Sequence, residues 1–183
     1  MRRTSEETRG VILAAARSRF AADGYDRATI RAIAADARID PSMVMRYFGS
    51  KQGLFAAAAD LDLRLPDLAA APRADIGRVL AGHLLDLWDD DENLRILLRT
   101  ATTDEDVAER VRGVLAAQLV PAVAAVTGDP STAAPRAGMA ASQALGFALC
   151  RHVLRLPPVV ALSRDDAVAW LAPTFQRYLT GPL

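Results

Sequence analysis

The sequence predicts an all-α protein. Nearly every segment between proline and glycine punctuation repeats its apolar residues at helical period, none sustains strand alternation, and aromatic residues are only 5% of the chain. With 183 residues and a hydrophobic share of 51%, the chain can bury one domain's core, with or without a small satellite, and is not disordered.

The first helix is expected from Ser5 to Asp23, capped by Thr4 or Ser5. Ile12, Ala15, Ala16, Arg19 and Phe20 form its inner stripe, and Gly24 stops it. Thr29 caps a short helix through Ile30, Ile33 and Ala34 to Ala37. After Arg38-Ile39-Asp40 comes a second short helix, opened by an acidic N-cap and a proline, Asp40-Pro41, and closed by Gly49. Helices this short are marginal alone, so Ile30, Ile33, Ile39, Val44 and Phe48 must pack them on their neighbours.

Ser50 caps a fourth helix from Lys51 to Arg64, broken by Leu65-Pro66. Residues Leu68 to Pro72 connect it to a helix starting at Asp75, with Ile76, Val79, Leu80, His83, Leu84, Leu87 and Trp88 on one face. The run Asp89 to Glu92 makes a solvated turn and an acidic first turn for the helix of Leu94, Leu97 and Leu98. A further helix spans Asp104 to Val126 with Pro121 as a kink, and Thr127 to Thr132 is expected to be a loop. Two helices close the chain, Ala134 to Leu154 and Arg164 to Leu179, separated by Leu156-Pro157-Pro158. The first is apolar on almost all sides, and its small residues Ala137, Ala141, Ala144 and Ala148 would let another helix approach closely. A symmetric dimer seam is the simplest host for them.

The 22 basic and 22 acidic residues cancel, but not evenly along the chain. Residues 1–53 carry ten basic against six acidic, and the remainder twelve against sixteen, as a basic binding head on an acidic body would show. The lone Cys150 cannot form an internal disulfide, and no Cys/His cluster offers a metal site, so no metal or cofactor is expected. The N-terminus lacks the apolar core of a secretion signal, and no run of about 18 apolar residues suggests a span, so a cytoplasmic protein with no membrane partner is expected. No G-x-S-x-G, H-E-x-x-H or phosphate-binding loop motif occurs, and the two histidines are far apart, so the chain is not expected to be an enzyme.

The informative segment is Thr29 to Lys51. Two short helices joined by a three-residue turn form a helix-turn-helix, whose second helix can lie in the major groove of double-stranded DNA. Ser42, Met43, Arg46 and Tyr47 are its outward positions, with Val44 and Phe48 turned in. Arg46 can bond guanine O6 and N7 together, Met43 can offer apolar contact to a thymine methyl, and Thr29, Tyr47 and Lys51 are placed for phosphates.

Residues 1–60 resemble the DNA-binding domain of TetR/AcrR-family transcriptional regulators. The likeness rests on Ile12-Leu13-Ala14-Ala15-Ala16, Phe20, Gly24-Tyr25, Thr29, Ile33-Ala34, Pro41, Val44, Tyr47-Phe48-Gly49-Ser50-Lys51 and Leu54-Phe55. It implies a helix-turn-helix domain over residues 1–52 and an effector-binding, dimerising domain over 53–183. It also implies a homodimer that represses a promoter until a small-molecule effector binds. The dimer would form through the last two long helices, bringing in Trp170 and Phe175 beside the four alanines. The sequence carries Arg38 where the family usually has Gly, Met45 where it has Tyr and Tyr47 where it has His. Arg38 counts among the DNA-facing residues and is expected in a left-handed conformation. Ala141-Ser142-Gln143, Leu156-Pro157-Pro158 and Gln176-Arg177-Tyr178-Leu179-Thr180-Gly181 resemble a C-terminal subgroup of the same family.

The effector pocket is expected among His83, Leu84, Trp88, Met139, Gln143 and Phe147. Each also has a plain reading: His83 as a core or rim histidine, Gln143 as a core hydrogen-bonder, the rest as ordinary core. Cys150 reads as a small buried hydrophobe. The rival to DNA reading is a helical ligand carrier or interaction protein that uses the same fold without DNA.

Overall fold

The computed structural model describes residues 4–58, 62–90 and 92–182, whose regular structure is helical, with no strand among them. They form two compact units, Met1–Asp60 with Thr100–Ala108, and Leu61–Arg99 with Glu109–Leu183.

In the first unit, α1 (Ser5–Arg27) begins at a Thr4 cap in a full capping box with Glu7. At Gly24, where the sequence places its stop, the backbone leaves the helical region (φ 74°, ψ 170°), and a short helical turn carries the element on to Arg27. The helices α2 (Ile30–Ala37) and α3 (Pro41–Phe48) start and end where their caps predict. Ile12 and Ala16 of α1, Ile33 and Ala34 of α2, Val44 of α3 and Leu54 of α4 (Lys51–Ala58) are all fully buried. Each of the larger ones stabilises the unit by roughly 1.5–3 kcal/mol relative to exposure. Phe55 meets the edges of Phe20 and Tyr25 with ring centroids 4.8 and 5.1 Å apart, which fixes α4 against the end of α1. Arg19 forks onto Asp36 at 2.9 and 2.7 Å, joining α1 to α2.

The fourth helix is shorter than predicted. It closes at Ala58, residues 59–61 of the expected helix lie outside the described residues, and 62–67 are not helical. Leu65 precedes Pro66 and is thereby disfavoured in helix, and Arg64 takes a positive φ of 45°. The extended segment is then held by side chains of the second unit: Leu63 N–H donates to Gln118 Oε1, and His83 Nε2 bonds the Leu63 carbonyl, both at 2.8 Å.

The second unit is built on α5 (Ile76–Asp90) and α11 (Arg164–Thr180), with α9 (Pro130–Ala148) and α8 (Val120–Thr127) completing the core. Ile76, Leu80, Leu87 and Trp88 of the predicted stripe are buried on α5 and Leu85 joins them, while His83 and Leu84 are only half-buried. The helix α6 (Glu92–Ala101) follows, and Asp91, within the acidic run, lies outside the described residues. Next come α7 (Glu105–Val114), a π-helical turn over Leu115–Leu119, and α8. Where the kink at Pro121 is predicted, the chain makes a π-turn just before it, in which Val120 N–H reaches Leu115 O. The helical run Glu105–Thr127 is long and apolar enough, at mean hydropathy 1.2, to cross a membrane. Leu119, Val123 and Val126 from it pack instead in the second unit's core.

The predicted loop over Thr127 to Thr132 is reduced to Gly128-Asp129. Gly128 sits at φ 67°, Asp129 caps Ser131 N–H at 2.9 Å, and Pro130 starts α9 four residues before its expected Ala134. After α9 a second π-turn, Leu149–Val153, leads to the short α10 (Pro157–Val160) and then to α11 behind its Ser163 cap.

Ala137, Ala141, Ala144 and Ala148 are at most 9% exposed, and Phe175 of α11 is 0% exposed. Their close approach is to helices of their own protomer, and it leaves them almost no surface for a second copy. Trp170, 74% exposed, does remain available.

Candidate nucleic-acid interface

The helix-turn-helix is held by local bonds that its sequence dictates. The Thr29 hydroxyl accepts from Ala32 N–H at 3.1 Å, so one of its lone pairs is committed to starting α2. Arg38 ends α2 in the left-handed region, φ 54° and ψ 49°, as its position in the turn predicts. Asp40 Oδ1 then accepts Ser42 N–H at 2.8 Å, and these bonds from the Ser42 hydroxyl and amide hold the Asp40 carboxyl below its usual range.

On α3, Val44 and Phe48 point into the core, at 0% and 8% exposure, which turns the other side of the helix outward. Ser42 and Arg46 are exposed, and Met43 and Tyr47 are half-buried. Met45 is 43% exposed as well, an apolar side chain on a solvent-facing helix that the outward set had not included. Its position three residues after Ser42 is the signal that could have found it. The Arg46 guanidinium lies 5.5 Å from the Tyr47 ring centroid, and the Tyr47 hydroxyl is 3.0 Å from Ser5 Oγ. The Ser5 bond lowers the Tyr47 pKa; burial opposes it less strongly, and the nearby Arg46 adds a smaller lowering of its own.

Gly49, at φ 69°, turns the chain out of α3. Ser50 Oγ accepts Gly53 N–H at 2.9 Å, and a Cβ at Gly53 would collide with the Phe48 carbonyl, so only glycine lets α4 start this close to α3. Lys51 donates from Nζ to the Asp26 carbonyl at 3.2 Å and sits 4.4 Å from the Tyr25 ring centroid. Its ammonium is thus held at the first turn of α4 by two uncharged partners. Thr29, Arg38, Ser42, Met43, Arg46, Tyr47 and Lys51 all belong to this one unit, and none is buried.

The expected effector residues differ in burial. His83, Leu84, Gln143 and Phe147 are half-buried, with Leu84 and Phe147 packed on the core. Trp88 is 8% exposed, and its indole N–H is buried with no hydrogen-bond partner among the described residues. Met139 is 50% exposed, so in the protomer it does not wall an interior pocket.

A capped helix-turn-helix whose second helix turns Arg46 and Ser42 outward, in a chain with a larger helical unit, is the architecture of a DNA-binding regulator of transcription. Residues 12–58 match the pattern described as bacterial regulatory proteins, tetR family, and residues 74–179 match that of the tetracyclin repressor-like C-terminal domain. The chain belongs to the TetR family of transcriptional regulators. Among solved structures it is similar to a TetR-family regulator from Streptomyces coelicolor, at 28% identity over 97% of each chain with a TM-score of 0.53. It also aligns with a TetR-like regulator from Rhodococcus, at 20% identity over 99% of this chain and 100% of that one, TM-score 0.43. A fatty acid degradation regulator from Bacillus halodurans aligns at 16% identity over 99% and 98%, TM-score 0.48. Among curated proteins none matches.

Proposed function

We propose that this regulator is a homodimeric repressor that holds a partly palindromic operator and releases it when a small apolar or amphipathic effector binds. Residues 1–52 read DNA, and 53–183 bind effector and dimerise. The observation that carries the reading is α3 itself, where Arg46 and Ser42 are exposed beside Met43 and Tyr47 while Val44 and Phe48 anchor the helix. Arg46 reads a guanine, Met43 and Met45 meet apolar base edges, and Thr29, Arg38, Ser42, Tyr47 and Lys51 settle the head on the backbone.

Two copies present two such helices to successive major grooves, about 34–36 Å apart. The exposed Trp170 of α11 and Met139 of α9 supply apolar surface for pairing those helices between copies. Effector acts by population shift, binding the DNA-incompetent arrangement better than the competent one. The protein works in the cytoplasm and carries out no catalysis.

Selection of genomic fragments by the purified protein at about physiological salt tests the reading, because non-specific phosphate contacts weaken steeply as salt rises. Enrichment of one inverted repeat supports it. No enrichment after any co-purified ligand has been stripped away overturns it in favour of a carrier that no longer reads DNA.

A further inference from the structure

In the second unit, the end of α5, α6, the π-turn after α9 and the segment through α10 surround a cleft of about 320 Å³ lined by Asp89, Arg95, Arg151, His152, Arg155 and Val160. Among the described residues that line it, three guanidiniums face one carboxylate. Asp89 is shared, with its Oδ1 3.8 Å from Arg151 Nε and 3.6 Å from His152 Nε2. Burial lowers the His152 pKa more than Asp89 raises it, so the ring does not add a lasting charge of its own.

The guanidiniums are held mainly by neutral partners. Arg95 Nη1 donates to the Trp88 and Asp89 carbonyls at 2.9 and 3.0 Å, satisfying the free end of α5. Arg151 Nη1 donates to the Val159 and Leu162 carbonyls at 3.0 and 3.1 Å. Carbonyls fix a guanidinium without cancelling its charge, so these two cations are positioned before any ligand arrives and lose little freedom when one does. Arg155 stands at the rim, exposed, at a positive φ of 52°, and its side chain makes no ion pair or hydrogen bond among the described residues. A concave site with surplus fixed positive charge concentrates anions.

We propose that this cleft binds a small organic anion, whose carboxylate or phosphate head pairs with Arg155 and the anchored Arg95 and Arg151 while Val160 meets its apolar part. The proposal rests on the reading of the second unit as effector-binding, and it names the chemical class of effector. Asp89 sets a limit on it, because a ligand reaching deep into the cleft must avoid or displace that carboxylate.

The test is calorimetric titration of the full-length protein, without DNA, in a low-salt buffer free of phosphate. Hexanoate, inorganic phosphate and hexanol are the probes. Saturable binding of hexanoate or of phosphate, with none of hexanol, is the expected result, and the stronger of the two anions identifies the head group. Arg155→Ala should weaken that binding about tenfold while leaving the thermal midpoint unchanged, because the side chain has no partner to lose. Arg155→Gly, which suits the positive φ, should weaken binding to the same degree without lowering the midpoint, and so guards against a folding defect. Absence of saturable binding by either anion at millimolar concentration, equal binding of hexanol, or Arg155 variants that titrate like wild type would overturn the proposal. Operator binding is measured separately, so a protein that binds DNA but no anion refutes this site without touching the regulator reading, and the converse holds.

Discussion

The hydroxyls of Tyr47 and Ser5 lie 3.0 Å apart, which ties the recognition helix to the first turn of a helix 42 residues earlier in the chain. Tyr47 therefore has two ways to matter for DNA: through a phosphate that its hydroxyl reaches, and through the tether that sets the height of α3. Ser5→Ala removes the tether and keeps the phenol, whereas Tyr47→Phe removes both. We expect Tyr47→Phe to weaken operator binding several-fold and Ser5→Ala to have little effect, measured by fluorescence anisotropy on one labelled operator. Equal losses in the two variants would mean that the phenol acts only through Ser5.

Arg46 and Lys51 should separate cleanly by the kind of binding they lose. Arg46→Ala is expected to cost about 1–3 kcal/mol and to relax preference at one base pair, because a bidentate base contact is lost. Lys51→Ala should weaken all sequences alike and reduce the salt slope of binding by about one. It also removes the bond to the Asp26 carbonyl and the contact with Tyr25, so a modest drop in melting temperature should accompany it. Affinities measured across a salt series, on operator and on scrambled DNA, check both statements.

Arg38 carries backbone strain at the turn. A side chain in the left-handed region costs roughly 1–2 kcal/mol, and glycine avoids that but gives back about 0.5–1 kcal/mol through the greater freedom of the unfolded chain. Arg38→Gly is thus expected to stabilise by up to about 1 kcal/mol, visible as a higher urea midpoint, since the exposed side chain has no packing to lose. If the same variant loses operator affinity, the strained arginine is retained for its DNA contact rather than for the fold.

The helix-turn-helix was legible because its punctuation is local. Thr29, Asp40-Pro41 and Gly49 each fix a helix end through bonds to residues no more than four positions away, and such signals survive without knowledge of the tertiary fold. The end of α4 was not legible to that degree, because the conformation of Leu63 is set by Gln118 and His83 from distant helices. The alanine spacing on α9 correctly announced a close helix approach, but spacing cannot tell whether the approaching helix belongs to the same chain. The arginine-lined cleft was invisible for a related reason. Its residues come from segments around 89, 95 and 151–160, and the bonds that fix Arg95 and Arg151 run to backbone carbonyls, which leave no mark in side-chain chemistry.

His152 should make stability sensitive to mild acid. Its pKa in the folded protein lies below the ordinary 6.5, chiefly through burial, so the unfolded chain binds more protons as pH falls below that value. Stability is then fully present above about pH 6.5 and declines as pH falls toward the lowered folded pKa. The carboxylates with lowered pKa, Asp40, Asp86 and Asp129, come into play only near and below the ordinary carboxylate range, so they do not obscure this window. Melting temperatures between pH 7.5 and 5 should fall more steeply for wild type than for His152→Gln. Parallel curves would place the acid sensitivity elsewhere.

Gly77 sets how closely α5 approaches α11. A Cβ there would run into the Ala172 carbonyl and would lie 2.6 Å from the Gln176 amide nitrogen, both backbone atoms of the opposing helix. The Gln176 side chain closes the contact from the other side: its Oε1 accepts Gly77 N–H at 2.8 Å, and its Nε2 donates to the Arg73 carbonyl at 2.7 Å and to Thr180 Oγ1 at 2.8 Å. Helix propensity alone would favour Gly77→Ala by about 1 kcal/mol. The clash opposes it, because backbone atoms of a packed helix cannot move aside as the tip of a flexible side chain can, and overpacking of this kind typically costs about 1–3 kcal/mol. Loss of the Gln176 bond as the helices part adds to the cost, so the net change should be destabilising. Gly10, on the exposed side of α1 with nothing within 4 Å of a Cβ, supplies the control, and Gly10→Ala should raise the melting temperature by propensity alone. Opposite shifts in the two variants would establish the tight α5–α11 contact in solution. A Gly77→Ala protein that melts at or above wild type would mean that the two helices stand further apart than this packing requires.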